Sequence, residues 1–209
     1  MIKLIDNVNL FDGAGNVTGF RQGTLDGACG IYSVVTAMVA GGVISRDEAI
    51  NAWSTKPDGR TRLANAIAHL STLVQDGTDE NDQIELIKAL EWHIKKTKSC
   101  KPELLDLSGK KLFPEIIDRI DRFIPVIIHL NWEGSGAHAA VVVGYEFKDN
   151  DVYHLLTIDP GYNISSVQLW NAFLTCYRNK SGKKPYCYQV ENFQYNSQCQ
   201  ITKAVALTR

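Results

Sequence analysis

The sequence has almost no net charge and no closely spaced pair of cysteines. Its 209 residues include 22 basic and 23 acidic side chains, which gives a formal net charge of −1. Because nucleic-acid binding proteins usually carry a basic excess, we expect no nucleic-acid partner. None of the five cysteines lies in a C-x-x-C pair, so neither a disulfide framework nor a zinc site is predicted. Free thiols in a reducing compartment are expected instead.

The sequence also lacks the pattern of a secretory signal. Its first six residues contain a lysine and an aspartate but no long apolar run. The uncharged stretch from Gly27 to Ser45 is long enough to suggest a membrane span. It contains several hydroxyl groups and two consecutive glycines, Gly41 and Gly42, so we interpret it as a buried helix. No membrane association is expected, and the predicted location is the cytoplasm, or that of an effector delivered without a cleavable signal.

No internal repeat, low-complexity segment or linker interrupts the chain. Hydrophobic residues make up 44% and charged residues 22%, the balance of a soluble globular protein. We therefore predict one domain over residues 1–209. It would comprise an irregular arm over 1–27, a helical lobe over 28–123 and a sheet lobe over 124–209.

Hydrophobic periodicity changes from helical to alternating near the middle of the chain. Ser45 and Glu48 form a predicted capping box, and Gly41 is a predicted helix end. The predicted helices span residues 29–41, 45–53, 60–74, 79–98 and 111–123. The predicted strands span residues 126–132, 139–147, 153–159, 186–193 and 201–207. Helices followed by strands indicate the α+β class.

One cysteine occupies an unusual place, at the first turn of an apolar helix after a glycine-rich turn. A helix N-terminus favours a thiolate at Cys29, and its amides can stabilise an oxyanion. Gln22 could supply a second donor, and Asp26 is an alternative polar contact. The competing interpretation of Cys29 is an ordinary buried core thiol.

One histidine follows a Gly-Ser-Gly-Ala turn at the start of an apolar strand, which suits a general base. This residue is His138, and Asp159 ends the next strand before Pro160. If the two strands form an antiparallel hairpin, both side chains lie at the same end of it. Asp159 would then orient the imidazole, although an aspartate there could also simply begin a turn. The other histidines are interpreted as structural or surface residues: His69, His93, His129 and His154.

The order of these residues resembles that of the papain-like cysteine peptidase superfamily, and the bacterial C39-like peptidases in particular. Gly27-Ala28-Cys29 is similar to the end of the papain-type cysteine signature, and Asp159-Pro160-Gly161 resembles the C39-like pattern. The resemblance implies that Cys29 is the nucleophile, His138 the base, Asp159 its orienter and Gln22 an oxyanion donor. It also implies a two-lobed papain-like fold, with an N-terminal helical lobe packed on a C-terminal antiparallel sheet.

The resulting hypothesis is a thiol hydrolase that cleaves a peptide or isopeptide bond through a thioester, without a metal or cofactor. A protein or peptide is the expected substrate, and a regulatory protein could control access to the site. Two alternatives stay open. The same residues could serve a thiol acyltransferase, a transglutaminase or a glutamine deamidase. The chain could also be a non-catalytic protein-binding module.

Overall fold

The helices and strands alternate along the chain more than the sequence pattern indicates. The computed structural model describes residues 1–5, 10–11, 18–22, 28–54, 78–93, 100–105, 111–132, 135–149, 151–164, 169–176, 186–190 and 196–208. The helices of this part of the chain are α1 (Cys29–Ala40), α2 (Arg46–Ser54), α3 (Glu80–His93) and α4 (Leu112–Asp121). The strands are β1 (Ile2–Leu4), β2 (Lys101–Leu105), β3 (Val126–Trp132), β4 (Ser135–Lys148), β5 (Asp151–Ile158), β6 (Ala172–Cys176), β7 (Tyr186–Val190) and β8 (Asn196–Thr208).

Six antiparallel strands close into a barrel. The pairing runs from β4 through β3, β8, β7 and β6 to β5, and β5 pairs with β4 again. The two remaining strands lie outside this ring, β1 on β4 and β2 on β8. Strand β4 is long enough to pair with β3 over its first half and with β1 over its second half. The centre of β4 is buried on both faces from Ala139 to Gly144, since the barrel interior lies on one side and α1 packs on the sheet.

The predicted two-lobed, papain-like α+β fold is therefore wrong. The described residues form one antiparallel sheet of eight strands, six of which close into the barrel, and four helices. Strands β1 and β2 come from the predicted arm and the predicted helical lobe, yet both belong to the same sheet as the later strands. Strand β2 was not predicted, because its first three residues, Lys101, Pro102 and Glu103, are of types that are uncommon in strands. The sheet contains strands from both halves of the chain. The predicted boundary between helices and strands near residue 124 is therefore absent from the described residues.

Helix α1 matches its prediction. It begins at Cys29 and ends at Ala40, and its side chains are buried almost all around. Gly42 follows with a left-handed φ of 65°, a conformation that glycine adopts without strain. The amides of Gly41 and Gly42 close the helix by bonding Ala37 O and Val39 O. A helix without a polar face must be covered on several sides, and α1 packs against β4, β3, α2 and α3.

The starts of α2 and α3 also follow local sequence signals. The amide of Ser45 donates to Glu48 Oε2 at 2.8 Å, and the Glu48 amide donates back to Ser45 Oγ at 3.1 Å. This is the predicted capping box. Asp79 Oδ1 accepts from the amides of Asn81 and Asp82, which caps α3. The predicted helix over 60–74 and the predicted end of α3 over 94–98 lie outside the described residues.

The predicted strands are found, with shifted ends. The prediction for β3 matches the structure, whereas β4 and β8 are longer than predicted and β6 was not predicted. No helix in the described ranges is long and apolar enough to cross a membrane.

Candidate active site

Cys29 is the first residue of α1 and lies beside the barrel wall. Its thiol is hydrogen-bonded to His138 and to the backbone of Ala139, the next residue of β4. Ala28, at the N-cap position, has no side chain that could cap the helix. The helix dipole therefore acts on Cys29 without a competing capping group at Ala28. The structure thus brings the predicted cysteine and the predicted histidine together.

The predicted hairpin of β4 and β5 is present and brings His138 to Asp159. His138 Nε2 lies 2.8 Å from Asp159 Oδ1. Because a carboxylate oxygen accepts, Nε2 carries the hydrogen, and Nδ1 is the ring nitrogen available to Cys29. The side chain of His138 is 19% exposed and that of Asp159 is 0% exposed. Water therefore reaches the imidazole but not the carboxylate behind it.

The pKa values of Cys29 and His138 shift in opposite directions. Burial raises the pKa of the Cys29 thiol, but the hydrogen bond and charge of His138, with help from the Ala139 amide, outweigh it and lower that pKa overall. Burial lowers the pKa of His138, but the hydrogen bonds to Asp159 and Cys29 outweigh it and raise that pKa to about 10. Between the lowered pKa of Cys29 and the raised pKa of His138, the arrangement favours a thiolate beside an imidazolium.

Gln22 lies near the other three residues. Its amide donates to Pro160 O at 2.9 Å, which ties its backbone to the turn after Asp159. A β-carbon placed on Gly161 would lie 3.1 Å from Asp159 Oδ1, 3.6 Å from His138 Cε1 and 3.8 Å from Gln22 Nε2. The Gln22 side-chain amide therefore faces the same small region as the other two side chains. Its role as an oxyanion donor stays a prediction.

Several contacts around the site involve residues to which the sequence analysis assigned no role. Ser33 Oγ donates to Ala139 O at 3.1 Å and joins α1 to β4 one turn after Cys29. The Gly161 amide donates to Asp159 Oδ1 at 2.7 Å. Asn171, before β6, bonds the backbone of Asp159. Ser33 has a weak sequence signal, a hydroxyl four residues after Cys29 on an apolar helix, whereas Asn171 has none.

One aromatic residue borders the histidine, and a second packs against the first. The ring of Trp132 lies 6.1 Å from that of His138, and Tyr188 meets Trp132 edge-on at 5.6 Å. Trp132 therefore contacts both the imidazole and the buried Tyr188.

The other histidines and cysteines lie apart from this cluster wherever they are described. His129 Nε2 is 3.0 Å from Gln83 Oε1, and His154 Nδ1 is 2.7 Å from Glu146 Oε2, so both have the partners expected of structural histidines. His69 and the side chain of His93 lie outside the described residues. All five cysteines belong to the described residues, and none of them forms a disulfide there. Within the described ranges, no group of three or more His, Cys, Asp and Glu side chains could hold a metal ion.

The geometry combines a thiol whose pKa is lowered, an imidazole beside it and a buried carboxylate that is hydrogen-bonded to the imidazole. Such an arrangement can attack a carbonyl carbon and hold the product as a thioester. Compared with protein-family models and with curated proteins, the chain has no match in either set.

Proposed function

We propose that this protein is a thiol hydrolase that cleaves a peptide or isopeptide bond with Cys29, His138 and Asp159. The observation that carries the proposal is the unbroken chain of hydrogen bonds from the Cys29 thiol through His138 to Asp159. A nucleophile, a base beside it and a group that orients the base are the three parts that nucleophilic acyl transfer requires. The papain-like resemblance stays a prediction, and the proposal does not depend on it.

The first half of the proposed reaction forms a thioester. The Cys29 thiolate adds to the carbonyl carbon, and the carbonyl oxygen takes the negative charge. The Cys29 amide, at the helix N-terminus, and the Gln22 side chain are the proposed donors to that oxygen. As the C–N bond breaks, the imidazolium of His138 gives its proton to the leaving nitrogen, and a neutral amine departs.

The second half uses water to restore the enzyme. The neutral His138 takes a proton from a water molecule whose oxygen adds to the thioester carbon. The C–S bond then breaks, the carboxylic acid leaves, and the thiolate–imidazolium pair is regenerated. Asp159 holds the ring in one tautomer throughout, because its buried oxygen accepts from Nε2.

The proposed setting is a reducing compartment. The five cysteines contain no C-x-x-C pair and form no disulfide in the described residues, which is consistent with a cytoplasmic enzyme, or an effector that acts in the cytoplasm. The proposed substrate is a protein or peptide, with a further protein controlling access to the site.

The first test is the rate of alkylation of each thiol by iodoacetamide from about pH 4 to about pH 9. We expect one fast thiol in the wild type that stays reactive well below the free-thiol pKa of about 8.5. Cys29→Ala should remove this fast phase. His138→Ala should return Cys29 to the behaviour of an ordinary thiol, because the imidazolium no longer stabilises the thiolate.

Two variants of the same chain serve as matched controls. His154→Ala removes another histidine that is paired with a carboxylate in the same sheet. Cys176→Ala removes a half-buried thiol whose pKa is raised by burial to about 12. Both should keep the fast phase. A wild-type Cys29 that titrates like a free thiol would overturn the proposal in favour of a non-catalytic binding module.

A second measurement separates hydrolysis from the other thioester reactions. Peptide and protein substrates are incubated in ¹⁸O-labelled water, and the products are read by mass spectrometry. One label in each new carboxylate, with release of a peptide amine, supports hydrolysis of a peptide or isopeptide bond. Ammonia released from a protein glutamine would instead show a deamidase, and an amine joined to the acyl group would show a transferase.

A further inference from the structure

A single buried side chain holds the backbone of Asp159 from both sides. Asn171 is 1% exposed and directly precedes β6. Its Oδ1 accepts from the Asp159 amide at 2.7 Å, and its Nδ2 donates to Asp159 O at 2.8 Å. Both backbone polar groups of Asp159 are therefore bonded to one amide group. The backbone N–H of Asn171 donates to Thr157 O at 3.1 Å, which fixes Asn171 beside the end of β5.

The same side chain also reaches the far end of the turn. Asn171 Nδ2 lies 3.3 Å from both Tyr162 O and Asn163 O. We call residues 159–163 the Asp159 turn. Pro160 belongs to it, and Pro160 O accepts from the Gln22 amide. The contacts of Asn171 thus define the shape of a turn that carries the carboxylate and is attached to Gln22.

The carboxylate itself is held on only one of its oxygens. Asp159 Oδ1 accepts from His138 Nε2 and from the Gly161 amide. Oδ2 is buried and has no hydrogen-bond partner in the part of the chain that the structure describes. With one oxygen anchored, the place of the carboxylate depends on where the backbone of Asp159 lies, and Asn171 sets that place.

We propose that Asn171 is a positioning residue that acts on His138 through Asp159. The inference rests on the proposed function, because it assigns a cause to the orientation of the proposed base. Without the two backbone hydrogen bonds from Asn171, the turn relaxes and Asp159 Oδ1 leaves its position beside His138 Nε2. The imidazolium then loses its main partner, and the thiolate beside it becomes less populated.

The test uses Asn171→Ala, with Thr175→Val as the matched control. Thr175 is a buried residue of β6 whose hydroxyl bonds Gln189 and not the Asp159 turn. The pKa of His138 is measured by NMR of labelled histidine rings. Its signal is identified as the one missing from His138→Ala. We expect the pKa of His138 to fall by about one unit in Asn171→Ala and to stay unchanged in Thr175→Val. The alkylation rate of Cys29 near pH 6 should fall about tenfold in Asn171→Ala alone.

A double variant shows whether Asn171 acts through Asp159. In an Asp159→Ala background, adding Asn171→Ala should leave the pKa of His138 unchanged. Should Asn171→Ala not fold, Asn171→Ser takes its place. Its shorter side chain cannot reach both backbone groups of Asp159, so the same downward shift is expected. An unchanged His138 pKa in a folded Asn171 variant, or a further shift in the double variant, would overturn the inference.

The proposed function and this inference fail in different ways. A wild-type Cys29 that reacts like a free thiol overturns the proposed function, and the inference with it. An activated wild-type Cys29 whose pH profile is the same in Asn171→Ala overturns only the inference.

Discussion

At the scale of single residues, Ala139 joins the helix to the barrel with both of its backbone polar groups. Its N–H lies at the Cys29 thiol, and its C=O accepts from Ser33 Oγ at 3.1 Å. Cys29 and Ser33 are four residues apart and lie on the same face of α1. The contact of Ser33 therefore helps to fix the distance between the proposed nucleophile and the strand that carries His138.

Replacing Ser33 should weaken both the fold and the thiolate. Ser33→Ala leaves the buried carbonyl of Ala139 without this donor, at a cost of about 1–3 kcal/mol in the free energy of unfolding. The pH at which Cys29 becomes reactive should rise, since α1 is less firmly seated on β4. Urea unfolding and the alkylation profile measure the two effects.

Thr36→Val is the control for Ser33→Ala. Thr36 is also buried in α1, but its hydroxyl accepts from the Phe20 amide. The Thr36→Val variant should have a lower free energy of unfolding than the wild type but the same alkylation profile of Cys29. Equal effects of the two variants on Cys29 would show that Ser33 has no particular link to the thiol.

The residues proposed to react could be predicted from the sequence, whereas those that support them could not. Cys29, His138 and Asp159 each stand at one end of an apolar run, and the end of such a run is visible in a single sequence. Asn171 and Ser33 bond backbone atoms of distant residues. Any residue has such backbone atoms, so no sequence pattern predicts these bonds.

At the scale of helices and strands, the close packing at the start of α1 leaves no room for a side chain at Gly30. A β-carbon on Gly30 would lie 2.6 Å from Thr78 Cβ and 3.1 Å from Gln83 Nε2. Gln83 is fully buried and also contacts His129 on β3. Gly30, the residue after Cys29, therefore lies where three parts of the structure pack together. These parts are the segment before α3, α3 itself and the barrel.

Gly30→Ala should destabilise the protein although alanine favours helices. The overpacking against Thr78 should cost about 1–3 kcal/mol in the free energy of unfolding. Because the start of α1 is pushed away from its place, the reactivity of Cys29 at low pH should also fall. Thermal unfolding and alkylation measure these effects. Gly41→Ala changes the other end of the same helix, where the nearest neighbours would lie at 3.1 Å and 3.3 Å. A loss of Cys29 reactivity in Gly41→Ala as large as that in Gly30→Ala would contradict this account.

The helix signals of this sequence were more reliable than its strand signals. The cap at Ser45 and the glycines after α1 act through neighbouring residues, and both were correctly predicted. Strand β1 has only three residues, and β6 is one of the shorter strands. Short strands are stabilised by their partners more than by their own residues, which explains why these two were missed.

At the scale of the whole molecule, closure of the barrel is the feature that the sequence did not predict. It depends on β4 pairing with β3 and β5 together and on β8 pairing with β3 and β7 together. The apolar pattern of each strand is compatible with many pairing partners. Which strands pair is decided by contacts between residues far apart in the sequence. The two-lobed prediction instead took the order of elements along the chain as their arrangement in space.

The stability of the whole protein should fall on mild acidification because of His129. Burial lowers the pKa of His129 below 6.5, and the opposing influence of Asp79 does not restore it. Below about pH 6.5 the unfolded chain binds a proton at this residue that the folded chain does not. Folding stability is therefore retained above that pH and lost as the pH falls through it.

The variant His129→Gln separates this contribution from that of the other groups. The free energy of unfolding in urea, measured at several pH values from about 5 to about 8, should fall less steeply with acidification in the variant than in the wild type. The same slope in both proteins would show that His129 does not set this part of the pH dependence.

The positions of the three proposed catalytic residues also suggest an order of assembly during folding. His138 and Asp159 are 21 residues apart and belong to one hairpin, whereas the hydrogen bond of Ser33 to Ala139 spans 106 residues. Closing a short loop costs less chain entropy than closing a long one, so the hairpin contact is kinetically the easier to form. The base and its carboxylate can therefore meet before α1 docks. Activation of the Cys29 thiol would then report the arrival of the helix on the barrel, late in folding.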